Sequence, residues 1–458
     1  MMAASVMAQD EAEVLRFSRM NWGGTARSQA VGGAISAFGA DFSSLSMNPA
    51  GIGLYKRSEI TFTPQLHYSS IESKLDGAPK EDYRYNFNIN SVGWVIPIYL
   101  ENGSMVHFGL GINRLYNFNH NYFMKGFNNN NSMMTAYVDY ANRYGLDGVS
   151  DMAWQTYLMD QNAGGTYVSD LYNGGVLQQK VLSTSGSANE FVVSFGGNIE
   201  DKLFLGATLG IPYFSYEEEA TYTETDSEDQ IASTYDFKKF TDRTHLEQEG
   251  VGVNFKLGVL YQPVDFIRTG VAIHTPTFYD VDETYHRDLS PVFADTTVSP
   301  YGMANEFDYE IITPFRFMYN LAFIIGQYGF VGFDYEFADY RTGRIRAHGE
   351  DFSDVTEVVK DVYTTVHSFR VGGELNLKPF ALRAGYAFHG NPYKDKDIND
   401  GSYQSISAGA GVRGEHFFAD FAFTHNFGES KYYFYEGANA VTNTLMANMF
   451  TLTLGCKF

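Results

Sequence analysis

The chain has 458 residues, with 54 acidic side chains against 32 basic ones, a formal net charge of −22 and a single cysteine. That balance disfavours nucleic acid as a partner, because phosphate recognition needs clustered Lys and Arg, and one cysteine excludes an internal disulfide or a cysteine-rich metal site. A mean hydropathy of −0.25 and the lack of any long uninterrupted apolar run exclude a helical membrane span, but 33 Tyr, 38 Phe and 45 Gly suit a wall in which apolar and polar side chains alternate.

At the start, Val6-Met7-Ala8 before Gln9 reads as the small-residue end of a signal peptide, although Met1–Ala8 holds no basic region and too short an apolar core. Residues 1–9 are read as a signal-peptide remnant, with a longer precursor expected. Residues 10–57 come next, dominated between Gly23 and Tyr55 by small residues with isolated Phe38, Phe42, Leu45 and Ile52. This segment is too rich in Gly for long helices and too apolar for a disordered arm. It predicts a compact set of short helices packed inside a barrel, as a hatch. Asn48 suits a tight turn and Pro49 the first position of a helical turn, so Asn48-Pro49-Ala50 is expected to fix the hatch rather than to touch a ligand.

From residue 58 to 458 a period-two alternation recurs. Leu203, Leu205, Ala207 and Leu209 oppose Phe204, Gly206, Thr208 and Gly210; Phe369, Val371 and Leu375 oppose Arg370, Gly372 and Glu374. The second face mixes Gly with charge, which the interior of a barrel allows. Short turns fall near 101–103, 200–202, 262–265, 326–327, 378–379 and 414–415, and long polar segments at 69–82, 123–179, 216–239, 280–306, 340–363, 390–402 and 428–445. Their strict alternation predicts an all-β fold: a transmembrane antiparallel β-barrel of about 14 strands with both termini on the short-turn side.

Within this frame two places break the pattern. Along 106–122 the even row Val106, Phe108, Leu110 and Ile112 is interrupted by Arg114 before Tyr116 and Phe118. Either Arg114 lies close to the headgroups, or a bulge with Asn113 turns it inward and opens a gap in the wall. In the loop 123–179, Ser132 predicts the cap of a helix stopped at Gly145, and Ser150 the cap of a second helix carrying Trp154, Tyr157, Leu158 and Gln161, ended by Gly164-Gly165. Trp154, Tyr157 and Leu158 are candidates for a ligand-capture surface; the alternative is that the two helices pack on each other over the barrel mouth.

The chain closes on Phe450, Leu452, Leu454, Cys456 and Phe458 along one face of a strand. This strand resembles the C-terminal assembly signal of bacterial outer-membrane proteins, in which Phe458 would be the residue read by the barrel-assembly machinery. Gly32-Gly33-Ala34, Asp41 and Asn48-Pro49-Ala50-Gly51, with Phe380-Ala-Leu-Arg-Ala-Gly-Tyr386 leading to Asn391-Pro392, resemble over the full length the FadL/TodX family of outer-membrane transporters for long-chain fatty acids and other hydrophobic compounds. The resemblance implies a bacterial outer-membrane location with both termini periplasmic, contacts with lipid and lipopolysaccharide, and a monomer unless it joins a larger complex. It also implies passive uptake of a hydrophobic small molecule (fatty acid or detergent-like) and a lateral exit at a kinked early strand, for which Asn113 and Arg114 are the candidates. The alternative is a FadL-like scaffold subunit of a secretion or other outer-membrane complex; a general diffusion porin is disfavoured by the hatch.

Motifs for chemistry are few, and no enzyme activity, cofactor or metal is expected. Gly409–Gly414 matches GxGxxG but joins strands rather than opening a helix. Asp395, Asp397, Asn399, Asp400 and Gly401 misplace the glycine of a calcium loop and lack its closing Glu. His274 and His389 are expected in the lumen as ordinary polar residues, and neither HExxH nor GxSxG occurs.

Overall fold

In the computed structural model, which describes residues 10–100, 104–231, 233–347 and 349–458, the chain from Glu59 onward forms a barrel wall of 14 strands. They are β1 (Glu59–Lys74), β2 (Lys80–Tyr99), β3 (Met105–Asn117, resuming as His120–Asn128), β4 (Val176–Ile199), β5 (Leu203–Thr225), β6 (Phe237–Val264) and β7 (Ile267–His274, resuming as Phe278–Phe293). The others are β8 (Tyr301–Ile312, resuming as Arg316–Ile324), β9 (Gly329–Asp339), β10 (Thr365–Leu377), β11 (Phe380–His389), β12 (Tyr403–Arg413), β13 (Phe417–Tyr432) and β14 (Val441–Lys457). Each pairs antiparallel with the next, and β14 pairs with β1 along Glu59↔Lys457 to Lys74↔Thr442. Closure of this kind removes the sheet edges. No helix among the described residues is long and apolar enough to cross a membrane. The last strand follows its alternation: Leu452 and Leu454 are exposed, Thr451 and Thr453 buried. Phe458 sits at the seam, its N–H donating to the Ser58 carbonyl at 3.1 Å.

Several segments read as loops turn out to be strand. β1 continues to Lys74 before β2 begins at Lys80, β5 runs to Thr225, and β7 reaches Phe293 before β8 starts at Tyr301. Outward residues become polar there, as at Glu217, Glu219, Glu247 and Glu249, because the wall has left the apolar band. Backbone pairing is indifferent to what the outer face carries, so the ladder persists. The short turns fall where the sequence places them, except 101–103, which lies outside the described residues together with 1–9.

The hatch consists of α1 (Glu11–Ser18), α2 (Ala26–Ala30), α3 (Ser44–Met47) and a 3-10 helix over Pro49–Leu54. Side chains cap three of these starts: Asp10 accepts from the Ala12 and Glu13 N–H groups, Thr25 from Ser28, and Asn48 Oδ1 from Ala50 at 3.1 Å. Asn48 is fully buried, and its Nδ2 donates to Asn320 Oδ1 of β8 at 2.8 Å, which ties the turn to the wall. The wall receives the hatch at glycines. A Cβ at Gly206 would collide with the Pro49 carbonyl, at Gly258 with the Asn48 side chain, and at Gly372 or Gly385 with the Val31 backbone.

Charges complete the docking. Arg27 donates to Glu374 through Nε at 2.7 Å and Nη2 at 2.8 Å, and Glu374 also accepts Arg383 Nε at 2.7 Å. Glu336 takes Trp22 Nε1 at 3.0 Å along with Arg316 and Arg370. The wall starts and ends on the short-turn side, whereas Asp10, the first described residue, lies elsewhere. It opens α1 inside the barrel, where Glu13 meets Gln248 and Tyr309 from the long-loop half. Burial of Phe17 against Phe214 at 3.8 Å, stacked, draws the segment upward.

Gly385→Val tests this packing. The added side chain must displace the hatch backbone, and overpacking of this type costs about 1–3 kcal/mol. The expected outcome is a lower unfolding temperature in detergent together with raised ion conductance in planar bilayers; wild-type values for both would show that the wall does not need this glycine.

Candidate functional site

The site begins with a fault in one strand. β2 and β3 pair regularly from Tyr99↔Met105 to Ser91↔Asn113, and there the ladder stops. β3 keeps its other neighbour, β4, but the register shifts between Arg114 and Tyr116, so Leu115 is the extra residue of a bulge. A one-residue insertion inverts every later side chain. Tyr116 and Phe118 consequently turn inside, Phe118 buried with Leu115, Phe17 and Phe214 and Tyr116 packed against them, where the sequence row put both toward lipid. The Arg114 side chain lines an interior cavity. Its Nε is buried and makes no hydrogen bond to any described residue.

The carbonyls freed by the bulge are satisfied by the hatch: Asn21 N–H donates to Leu115 O at 2.9 Å and Gly23 N–H to Arg114 O at 3.0 Å. Above the fault, residues 80–90 of β2 and the His120–Asn128 half of β3 have no ladder between them among the described residues. Side chains cross the gap instead. Arg84 Nη1 donates to Ser183 Oγ and to Thr184 O, each at 2.9 Å, and Asn117 Nδ2 to Asn86 Oδ1 at 3.2 Å. Outside, Tyr83, Tyr85, Phe87 and Ile89 are exposed beside it.

Behind the gap lies a cavity of about 190 Å³. The hatch supplies Arg19, Asn21 and Gly23; β1 to β3 supply His67, Asn90, Arg114, Tyr116, His120 and Tyr122; across the β14–β1 seam, β12 to β14 supply Tyr403, Phe427, Leu445 and Met449. Arg19 lies over the Tyr403 ring at 5.4 Å and donates to Gly401 O. Aromatic and aliphatic walls with two guanidiniums and several amides can desolvate an apolar molecule and hold a polar end, each Å² of apolar surface removed from water being worth about 25 cal/mol.

The capture candidates do not line this cavity. α4 (Met133–Tyr144) carries its Ser132 cap and stops at Gly145 as read, but α5 spans Gly148–Gln155. Asp147 precedes it, Ser150 belongs to its first turn and accepts the Asp147 N–H at 2.9 Å, and Thr156 bonds back to Met152 O. The chain then turns at Tyr157, with φ 57°, so Gly164-Gly165 closes a small hairpin of Asp160–Gln161 with Tyr167–Val168 instead of ending a helix. Leu158 is buried with Met134 and Met152 in a cover over the mouth, Trp154 stands edge-on to Tyr167 at 5.8 Å, and only Tyr157 is exposed. Asn113 bonds Ser91 and Ser46 near the last paired position. Asp395 and Asp400 accept backbone N–H groups of their own loop. The sequence put its candidate bulge at Asn113 with Arg114, whereas the extra residue is Leu115; the pairing of His67 with His120, rings 6.1 Å apart, was not read, and the run Asn117, Asn119, Asn121 was a further signal, since Asn suits irregular backbone.

The cover is pinned at Glu224, fully buried at the end of β5. Its carboxylate accepts the Met133 N–H at 2.8 Å, Tyr222 OH at 2.6 Å, Gln178 Nε2 at 2.9 Å and the Ser132 hydroxyl. Burial raises this carboxyl above its ordinary value, opposed by those hydrogen bonds. The folded state therefore binds the proton more tightly, and the cover gains stability as pH falls through the interval between the ordinary and the raised value.

Comparison with known proteins gives one kind of match. No protein-family model and no curated protein matches the chain. Among solved structures, a Pseudomonas aeruginosa FadL homologue superposes with a TM-score of 0.61 at 13% identity, covering 96% of this chain and 100% of that one. The fold is that of FadL and TodX. The Pseudomonas putida toluene transporter TodX gives 0.58 at 14% identity over 96% and 100% of the two chains, and the monoaromatic hydrocarbon channel CymD 0.52 at 12% over 95% and 98%.

Glu224→Leu should strip four donors of this acceptor at a cost of about 1–3 kcal/mol each at most, opening the 123–179 cover to limited proteolysis, whereas Glu224→Gln should resist protease nearly as wild type. Equal resistance of all three proteins would remove Glu224 as the anchor.

Proposed function

We propose that the protein is a passive outer-membrane channel for hydrophobic small molecules, with the short turns periplasmic and the long connections outside. The observation that carries this reading is the cavity bounded by the Leu115 bulge and abutting the unpaired stretch between β2 and β3. A greasy molecule entering under the cover would be desolvated between Tyr116, Tyr122, Leu445 and Met449, with Arg114 and Arg19 offering cations to a carboxylate or other polar end. It would leave sideways past Asn113 and Arg114 through the gap, beside Phe87 and Ile89, into the bilayer. This avoids the lumen below, which the hatch fills. Asn48, Pro49 and Ala50 then hold the hatch, and Phe458 marks the strand that closes the wall. The FadL-type fold supports the reading: similar structures are named as a transporter of toluene and a channel for monoaromatic hydrocarbons.

Deleting Leu115 is the direct test, because it removes the extra residue and lets β3 pair continuously. Cells expressing the deletion are expected to fold and insert the protein, judged by heat-modifiable migration, yet to take up radiolabelled oleate and toluene no faster than cells lacking it. Unimpaired uptake with a folded protein would remove the lateral route, and a steady large conductance of the wild type in planar bilayers would favour an open pore.

A further inference from the structure

We propose a divalent-metal site on the outer face of the wall, built from Glu217 of β5 and His245 and Glu247 of β6. Glu217 and Glu247 stand directly opposite in the β5–β6 ladder, and His245, two residues before Glu247, shares its face. One ligand atom from each lies within 4.8 Å of the other two. Strand pairing fixes all three, so little ordering is needed to bring them round an ion.

Opposed carboxylates repel across a ladder, and no Lys or Arg among the described residues forms an ion pair with either. Glu217 takes a hydrogen bond from Ser185 Oγ at 3.0 Å, and Glu247 has His245 Nε2 at 3.1 Å. The surroundings strengthen the demand for a cation: Glu219 lies opposite His245, and Glu249 pairs across to Asp282 of β7. The summed field raises the local cation concentration. The site also stands clear of the apolar band. Val251 is the last exposed apolar residue on β6, and Glu247 is four residues further on, about 13 Å along the strand.

One imidazole with two carboxylates selects Zn²⁺ or a similar transition ion over Mg²⁺ and Ca²⁺, which favour all-oxygen shells. Three protein ligands on an open surface leave a coordination position facing outward.

Isothermal titration of tag-free, detergent-solubilised protein with ZnCl₂ tests the site. One ion bound per chain is expected, with binding lost in His245→Ala and in the Glu217→Gln/Glu247→Gln double variant, and kept in His416→Ala, which alters an exposed imidazole in the β12–β13 turn. Because the triad faces outward, heat-modifiable migration should be unchanged; if His245→Ala misfolds, the double variant decides. Absence of stoichiometric Zn²⁺ binding, its survival in His245→Ala or the double variant, its loss in His416→Ala, or equal competition by Mg²⁺ would overturn the proposal.

Discussion

A hatch of fewer than fifty residues can fill a 14-strand barrel only if backbone meets backbone. Inward-facing glycines on β5, β6, β10 and β11 make this contact possible, each standing where a side chain would strike Pro49, Asn48 or Val31. Glycine is a poor strand residue on entropic grounds. Here that penalty is offset by close packing over the hatch surface, since a gap of even part of an ångström forfeits much of the dispersion energy. The small residues of the hatch and the glycines of the wall are two halves of one steric solution.

Charge then fixes how the hatch is turned. Glu374 holds Arg27 of the hatch and Arg383 of the wall, while Asp420 accepts Arg383 Nη1 at 2.8 Å and Arg413 Nη2 at 3.0 Å. Removing one partner of a buried set like this leaves an uncompensated charge, commonly a loss of 3–5 kcal/mol. Steric fit alone would tolerate small rotations of the hatch. A bidentate guanidinium–carboxylate contact does not.

Much of this was legible in the residues. Alternation gave the strands, the lumen-facing Gly and charge of β10 were read as interior, and the Gly-rich opening segment was read as short helices. What escaped has physical causes. Beyond the apolar band, polarity was mistaken for loop because pairing leaves no mark on side-chain character, so β5 was cut short of Thr225. Along β3, Arg114 announced a fault, but only the register could show that Leu115 was the inserted residue and that Tyr116 and Phe118 turn inward. In the cover, Ser150 carries the chemistry of a cap yet lies one turn inside the helix; Asp147, equally suited, won the position. The cavity lies among residues from the hatch and from both ends of the wall, brought together at the β14–β1 seam, a convergence that depends on closure of the barrel and so cannot be read locally.

The two hydrogen bonds from Asn21 and Gly23 to the carbonyls of Leu115 and Arg114 make the hatch, in effect, a short surrogate for the missing neighbour of β3. A surrogate can be withdrawn, and withdrawal strips two buried acceptors of their donors at the place where the wall is already unzipped. Position of the hatch and integrity of the wall are thus linked thermodynamic variables: whatever occupies the cavity and favours one displaced state biases the other by the same free energy, with no signal passed through the rest of the barrel.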